Sequence, residues 1–376
     1  MKNFLKICWW ILCSIAILFY LIACSITYLP ASRFSYSIYF VLGFPYFFLA
    51  AVVFILINIL LKRKRVWLLL LLLPAYKNLS LTFAFHPRAW QMQKGTATLR
   101  IMTWNVANFA DSTKYANNVV QKMFETIAAY NPDVICMQQY YDGADLHNGG
   151  HVSVIKTMDS IGYHYHLSIY DTYTATGKEQ IRDGGGSVIY SKLPIDSNGL
   201  KAIVATPENI SNHQDYREKV GFVDVKWQNK PLRIYTARWQ SFYLNIYPDR
   251  AERQVISQLY NSLHYIQEAF PSVEKTHQKE AEIIRKEMDK SPYPLIYCGD
   301  MNGLSTSYNC EHLKGKDLQD AFIKGGWGIG TTFYKVVPML RIDACLVDKK
   351  FKVQQTTVPQ RKLSDHYPIV SDITWK

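Results

Sequence analysis

The first 110 residues contain no acidic side chain; Asp111 is the first of the 30 aspartates and glutamates in this chain of 376 residues. That absence excludes an ordinary charge-balanced soluble segment at the start of the chain. Eight of the 42 basic residues precede Phe85, so the remaining 34 face 30 acids, a surplus of 4. So mild a surplus is no nucleic-acid footprint by itself. Cysteine is also scarce: seven at this length make no disulfide scaffold. Cys8, Cys13 and Cys24 fall in the first apolar run, and Cys136, Cys298 and Cys345 in apolar strand-like runs where a buried free thiol is expected. Internal repeats and low-complexity tracts are lacking too.

What the first 85 residues do contain is three apolar runs. Residues 4–29 are uncharged apart from Lys6, with Trp9 and Trp10 near the start, and residues 36–61 carry no charge at all. Each exceeds the ~20 apolar residues that cross a bilayer. The third run, 66–85, opens with leucines but contains Pro74 and Lys77. It is expected to span with Lys77 snorkelling, the alternative being a helix lying in the interface. Lys62-Arg63-Lys64-Arg65, with Lys2 and Lys6, belongs on the cytoplasmic side. Three spans then put the C-terminal part outside the cytoplasm, and two spans put it inside. The expected location is the bacterial inner membrane with an extracytoplasmic domain. Leu21-Ile22-Ala23-Cys24 matches a lipoprotein cleavage signal, but two further apolar runs are more than a lipoprotein needs. Residues 86–98 form a polar linker of limited reach, at most about 13 residues at ~3.4 Å each, which keeps the 99–376 domain near the bilayer.

The domain alternates strand and helix patterns. Residues 99–106 read as a strand with Leu99, Ile101 and Thr103 on one face. Residues 115–130 read as a helix, with Val119, Met123 and Ile127 in step and Asn131-Pro132 as its stop. Further strands are expected over 134–138, 187–190, 222–227, 232–237, 295–298, 342–347 and 369–373, with helices over 249–270 and 273–289. The second of those helices is densely charged and expected to face solvent. Many strands with few helices suggest an α+β fold of two packed sheets flanked by helices.

Candidate chemistry lies where these strands end. Trp104-Asn105 closes the first strand, and Gly299-Asp300-Met301-Asn302 follows an apolar one. Arg341-Ile342-Asp343 opens another, and Ser364-Asp365-His366 precedes the last. Asp and Asn are favoured turn residues, so each box alone carries little. Their order and their common place at strand edges carry more.

These boxes, with Asn131-Pro132-Asp133-Val134-Ile135-Cys136-Met137-Gln138 and the run 186–195, resemble the ordered signatures of the endonuclease/exonuclease/phosphatase superfamily. The resemblance covers about residues 97–376, and the apolar runs ahead of it resemble membrane-bound bacterial members. It implies a four-layer α/β/β/α sandwich with a cleft at one end, and phosphoester hydrolysis with Mg²⁺ or Mn²⁺. It also implies roles. His366, paired with Asp365, contacts phosphate and exchanges protons. Asp300 handles the attacking water, Asn302 donates to phosphoryl oxygens, and Asn105 helps hold metal and phosphate. Asp365 is counted with the metal-side and catalytic acids. Asp343 is a further acid of the cleft, with a salt bridge to Arg341 as the alternative. Such roles suit an anionic ester, which needs a cation, a base and donors for developing charge.

Two positions depart from the family pattern. Gln139 stands where relatives carry a metal-binding glutamate, and a neutral amide is a poorer ligand for a hard cation. Asp142 or Asp145 could substitute. Arg238 stands where relatives carry histidine; it clamps phosphate but exchanges no proton near neutral pH. A phosphoesterase acting on a phosphorylated or lipid-linked substrate at the bilayer, a nuclease on the same scaffold, and a phosphate-binding protein without turnover are the three readings. The near-neutral domain counts against the nuclease. Other motifs add little. Gly326-Trp327-Gly328-Ile329-Gly330 lacks the strand–loop–helix context of a nucleotide site, His164 and His166 are expected as surface histidines, and His147 and His151 lie in a loop-like stretch.

Overall fold

The computed structural model describes residues 2–87, 90–109, 119–142, 144–145, 151–175, 178–204, 216–242, 255–335 and 340–376. Helices α1 (Lys2–Ser25) and α2 (Ser37–Leu61) come first. Their apolar stretches, Phe4–Tyr28 and Ser37–Leu61, are long and apolar enough to cross a membrane. The third apolar run differs from the expected spanning α-helix. It winds as a 3-10 helix over Arg63–Ala75 and becomes α-helical only in α3, Tyr76–Thr82. The change falls at Pro74, whose ring removes a backbone donor and crowds the preceding turn of an α-helix. A 3-10 helix rises ~2.0 Å per residue, so these 13 residues cover about 26 Å.

This run lies along α1 in the same direction. Near its start, Arg65 lies over the Trp10 ring at 4.9 Å and donates to Asn58 Oδ1 at 2.8 Å. Further along, the Tyr20 hydroxyl donates to the Leu72 carbonyl and accepts from Ala75 N–H. Asn78 Nδ2 donates to the Ala23 carbonyl at 3.2 Å. Buried amides and hydroxyls thus satisfy one another where an unpaired group would be costly.

The remaining chain is a sandwich. Its strands are β1 Leu99–Asn105, β2 Val134–Gln138, β3 Tyr165–Ala175, β4 Lys178–Ser191, β5 Ile195–Val204 and β6 Tyr216–Trp227. They continue with β7 Lys230–Arg238, β8 Leu295–Asp300, β9 Leu318–Asp320, β10 Asp343–Asp348, β11 Phe351–Thr357 and β12 Ile369–Trp375. One half runs β3-β4-β2-β1-β12-β11 and the other β9-β10-β8-β7-β6-β5. The halves join where β3 pairs with β6 at Thr172↔Arg217 and Tyr173↔Tyr216.

Burial separates the layers. Leu99, Ile101, Val134 and Cys136 from one half pack with Val223, Ile234, Ile296 and Cys345 from the other, filling the space between the sheets. The outer face of the first half, with Met102, Trp104 and Met137, packs on Met123 and Ile127 of α4 (Val119–Tyr130) and Met158 of α5 (Val154–Ser160). The outer face of the second, with Tyr235, Tyr297 and Leu346, packs on Ala281 and Ile284 of α6 (Val255–Met288) and Leu313 of α7 (Tyr308–Lys314). Leu99 and Ile101 share a face, as their alternation predicts, but both faces of β1 are buried because helices cover the second.

Two expectations change. Helices are not separate over 249–270 and 273–289: α6 runs through Pro271 as one element, and residues 249–254 lie outside those described. Its charged half is solvated on one face only: Lys275, Lys279, Glu282 and Lys286 are exposed, whereas Glu274, His277 and Glu280 are buried. The start of the 115–130 helix also lies outside the described residues.

Candidate active site

Three adjacent strand ends set one wall of the cleft. Arg238 ends β7 opposite Asp300 at the end of β8, and Asp300 lies opposite Asp343 at the start of β10. Close strand approach here needs Gly299, where a Cβ would sit 2.2 Å from the Ala237 carbonyl oxygen. The opposing half supplies Asn105 from the end of β1 and His366 from the turn before β12. Asn105 Nδ2 reaches across to donate to Asp300 Oδ2 at 2.9 Å. Two strand ends from different sheets are thereby tied at one carboxylate.

Asp300 is the hub. Its Oδ1 accepts from Asn302 N–H at 2.9 Å, and its Oδ2 from Asn302 Nδ2 at 3.3 Å. The Arg238 guanidinium stands 3.9 Å away. Burial, followed by the Asp343 charge, pushes the Asp300 carboxyl up to about 6 despite these donors. Asn302 is fixed in turn by donating Nδ2 to the Trp239 carbonyl at 2.8 Å. Its backbone is left-handed at φ 45°, as is that of Gln139 at φ 47°, and such positions at strand ends are sparsely populated.

His366 does not pair with Asp365. Its Nδ1 is 2.8 Å from Asp343 Oδ2, and both residues are buried. Asp365 is half-buried, with Oδ1 3.1 Å from Ser364 Oγ. A carboxylate adjacent in sequence is carried away from its neighbour's ring by the extended backbone, whereas one on the facing strand comes into line. Arg341 is not the partner of Asp343 either: it forms a buried ion pair with Asp320 at 2.6 Å. Burial by itself would depress the His366 imidazole, but the charges of Asp343 and Asp300 outweigh it and raise the group to about 9. The ring also lies 5.0 Å from that of Phe333.

Sequence reasoning missed the supports of this pair. Thr332 Oγ1 accepts from the N–H groups of Ile342 and Asp343 at 3.1 and 3.2 Å. Ser364 Oγ donates to the Asn105 carbonyl at 2.8 Å, and Trp104 Nε1 to the His366 carbonyl at 3.0 Å. Ser364 and Trp104 belong to boxes already singled out; nothing local marks Thr332, which acts through a long-range contact.

The ligand atoms of Asp300, Asp343 and His366 lie within 4.8 Å of one another, the one such grouping among the described residues. Asp343 Oδ1 is buried without a hydrogen-bond partner. Two carboxylates with an unfilled acceptor fit a hard divalent cation. The expected metal-side residues contribute differently. Asn105 Oδ1 already accepts from Ala107 N–H at 3.0 Å, and Asp365 does not join the grouping. Asp142 cannot replace the missing carboxylate at 139 freely, because it accepts from Ile155 N–H at the start of α5. Of Asp145, His147 and His151, the side chains lie outside those described.

A model of the Endonuclease/Exonuclease/phosphatase family matches residues 102–366. The chain belongs to that family. Its fold is accordingly that of phosphoesterases and nucleases, whose enzymes typically use divalent metals. An endonuclease/exonuclease/phosphatase from Beutenbergia cavernae is similar at 17% identity and TM-score 0.52, over 74% of this chain and 72% of that one. A family protein from Bacteroides thetaiotaomicron is similar at 16% identity and TM-score 0.51, over 76% of this chain and 99% of its own. One from Bacteroides vulgatus matches at 14% and 0.51, over 74% and 99%. No curated protein matches.

The site end of the sandwich is also the end that meets the N-terminal helices. Four residues past Asn302, the Thr306 carbonyl accepts from Thr27 Oγ1 at 2.8 Å. Ser305 Oγ and Arg341 Nη2 both donate to the Leu81 carbonyl. Ser32 N–H donates to Gln278 of α6, and Tyr39 stacks on Phe270 at 6.1 Å.

Proposed function

We propose that this family member is a membrane-anchored, divalent-metal-dependent phosphoesterase whose substrate phosphate lies at the bilayer surface. The observation that carries the reading is the buried Asp300–Asp343–His366 grouping, whose flanking loops bond to the ends of the apolar helices. Asp300 and Asp343 would hold a Mg²⁺ or Mn²⁺ ion, which would supply positive charge for the phosphoryl oxygens. His366, protonated up to about pH 9, donates to the ester or its leaving oxygen. Asp343 accepts from Nδ1 of that ring and fixes its direction. Asp300, aimed by Asn105 and Asn302, orients the attacking water and takes its proton. Arg238 binds a phosphoryl oxygen without exchanging a proton.

The anchor is α1, α2 and the third run together, with Lys62–Arg65 cytoplasmic and the sandwich on the opposite side, at the bacterial inner membrane. The parallel course of the third run and α1 supports this arrangement, because Arg65 and Leu81 then stand at opposite ends of the bundle. A second reading, phosphate binding without turnover, rests on Gln139. Purified full-length protein in phosphatidylcholine vesicles decides between them. Hydrolysis of a bis-aryl phosphate or of vesicle phospholipid with Mg²⁺ or Mn²⁺, abolished in Asp300→Asn, is expected. Metal-independent rates would remove the metal-dependent reading, and no hydrolysis of any phosphomonoester, phosphodiester, lipid or DNA would remove the enzyme reading.

A further inference from the structure

The glycine-rich turn Gly326–Gly330 belongs to no part of the site, yet it is built with care. Gly330 has φ +67°, and a Cβ there would stand 2.2 Å from the Phe322 ring; Gly328 has φ +77°. Only glycine meets both conditions. The turn is clamped to the chain that leaves the third apolar run. Ala84 and Phe85 pair antiparallel with Gly328 and Trp327, and His86 N–H donates to the Gly326 carbonyl at 3.1 Å.

The clamp brings three large apolar rings to the surface. Phe85 is 69% exposed, Trp327 54% and Phe83 46%. Trp327 lies 5.0 Å from the Phe85 ring and 6.2 Å from that of Phe83. Behind them opens a recess of about 580 Å³ whose lining includes Phe83, Trp90, Phe322 and Trp327. Contiguous exposed aromatics of this size mark a contact surface.

We propose that Phe83, Phe85 and Trp327 form a lipid-contact foot, seated in the headgroup boundary of the bilayer on the domain's side. This rests on the membrane-anchored reading above. Continuity selects lipid as the occupant: Leu73 and Tyr76 of the preceding run are themselves strongly exposed, and Phe83 follows α3 directly. Depth agrees. From Trp10, level with Arg65, to Ala23, level with Asn78, is about 13 helical residues or ~20 Å, and Asn78 to Phe83 adds ~7 Å. Phe83 therefore stands close to one ~30 Å hydrocarbon thickness from the basic end. Trp and other amphipathic rings favour that boundary. A foot there orients the cleft toward the bilayer, since Phe83 lies two residues from the carbonyl that holds Arg341 and Ser305.

The test is nitroxide depth measurement on full-length protein in phosphatidylcholine vesicles, with a Cys8→Ser background because the other cysteines are buried. Labels go on Trp327→Cys, on Leu49→Cys in α2, and on Lys290→Cys beyond α6. Collisions with oxygen and with a water-soluble nickel chelate are compared. The foot requires the label at 327 to be shielded from nickel and open to oxygen, at a shallower depth than Leu49→Cys. A label at 327 matching Lys290→Cys, with Leu49→Cys deep, overturns the foot and leaves the anchor standing. Nickel access at Leu49→Cys equal to that at Lys290→Cys overturns both. Shielding of 327 from both reagents means a protein covers the rings and also overturns the foot. Phe85→Cys repeats the measurement at a second position with the same criteria.

Discussion

Two sets of residues at the cleft are unequal. Asp300, Asp343 and His366 are buried, with Asp343 bonded to His366, and are backed by Thr332, Ser364 and Trp104. Gln139, just past β2, is neutral, and Arg238, at the end of β7, cannot exchange a proton near neutral pH. The contrast teaches that a preorganised buried network can be kept while positions around it change in charge and in proton exchange. The network depends on burial and hydrogen bonds, cation recruitment mainly on how many carboxylates converge.

The largest effect should come from the intact set. Asp300→Asn or His366→Ala is expected to lower turnover ~10²- to 10⁴-fold, the usual weight of an acid–base group. Steady-state kinetics beside a thermal melt checks this, and near-normal turnover in both folded variants would place the reaction elsewhere. Arg341→Met should act differently. It breaks a buried ion pair with Asp320 and the link to Leu81. A stability loss of about 3–5 kcal/mol is expected for one partner left buried, with the pH profile unmoved. If the alkaline limb moved, Arg341 would be acting on Asp343 after all.

How far these features can be read from sequence follows from particular residues. The span of β2 is matched to the residue, because an apolar run between Asn131-Pro132 and a left-handed Gln139 has clear ends. The site boxes are legible because each lies at a strand terminus. The Asp343–His366 bond is not, since it depends on β10 and the β12 turn converging across a sequence separation of 23. Nor is the winding of 63–75, where a leucine run reads alike for any helix type. The continuity of α6 was obscured by Pro271, whose missing N–H costs a long, packed helix only a local bond.

In the weaker set, Gln139→Glu should raise divalent-metal affinity on the order of tenfold, because ligand charge sets such affinities. Calorimetric titration measures it, and Arg238→His in the same chain should add turnover if a proton carrier is what limits the rate. Unchanged affinity would mean that residue 139 does not face the cation.

The smallest effect is a displacement along the pH axis. Activity should be bell-shaped, rising as Asp300 ionises and falling as His366 deprotonates, with both limbs drawn by the bound cation below the cation-free values of about 6 and 9. Asp343→Asn removes the anion that raises the imidazole, so the alkaline limb of the activity that survives loss of this cation ligand should move down. Stability follows with its own sign. Both groups are raised in the folded protein, so each contribution is present below the unfolded value and lost as pH rises. The windows are about 4 to 6 for Asp300 and about 6.5 to 9 for His366. Urea midpoints measured across that range should fall less steeply in Asp343→Asn.

The most direct test is the hydrolysis rate of a bis-aryl phosphate by full-length protein in vesicles, with chelator and then with Mg²⁺ or Mn²⁺. Turnover that appears with metal and vanishes in Asp300→Asn is the predicted result. Equal rates for wild type and Asp300→Asn under every metal condition would contradict it.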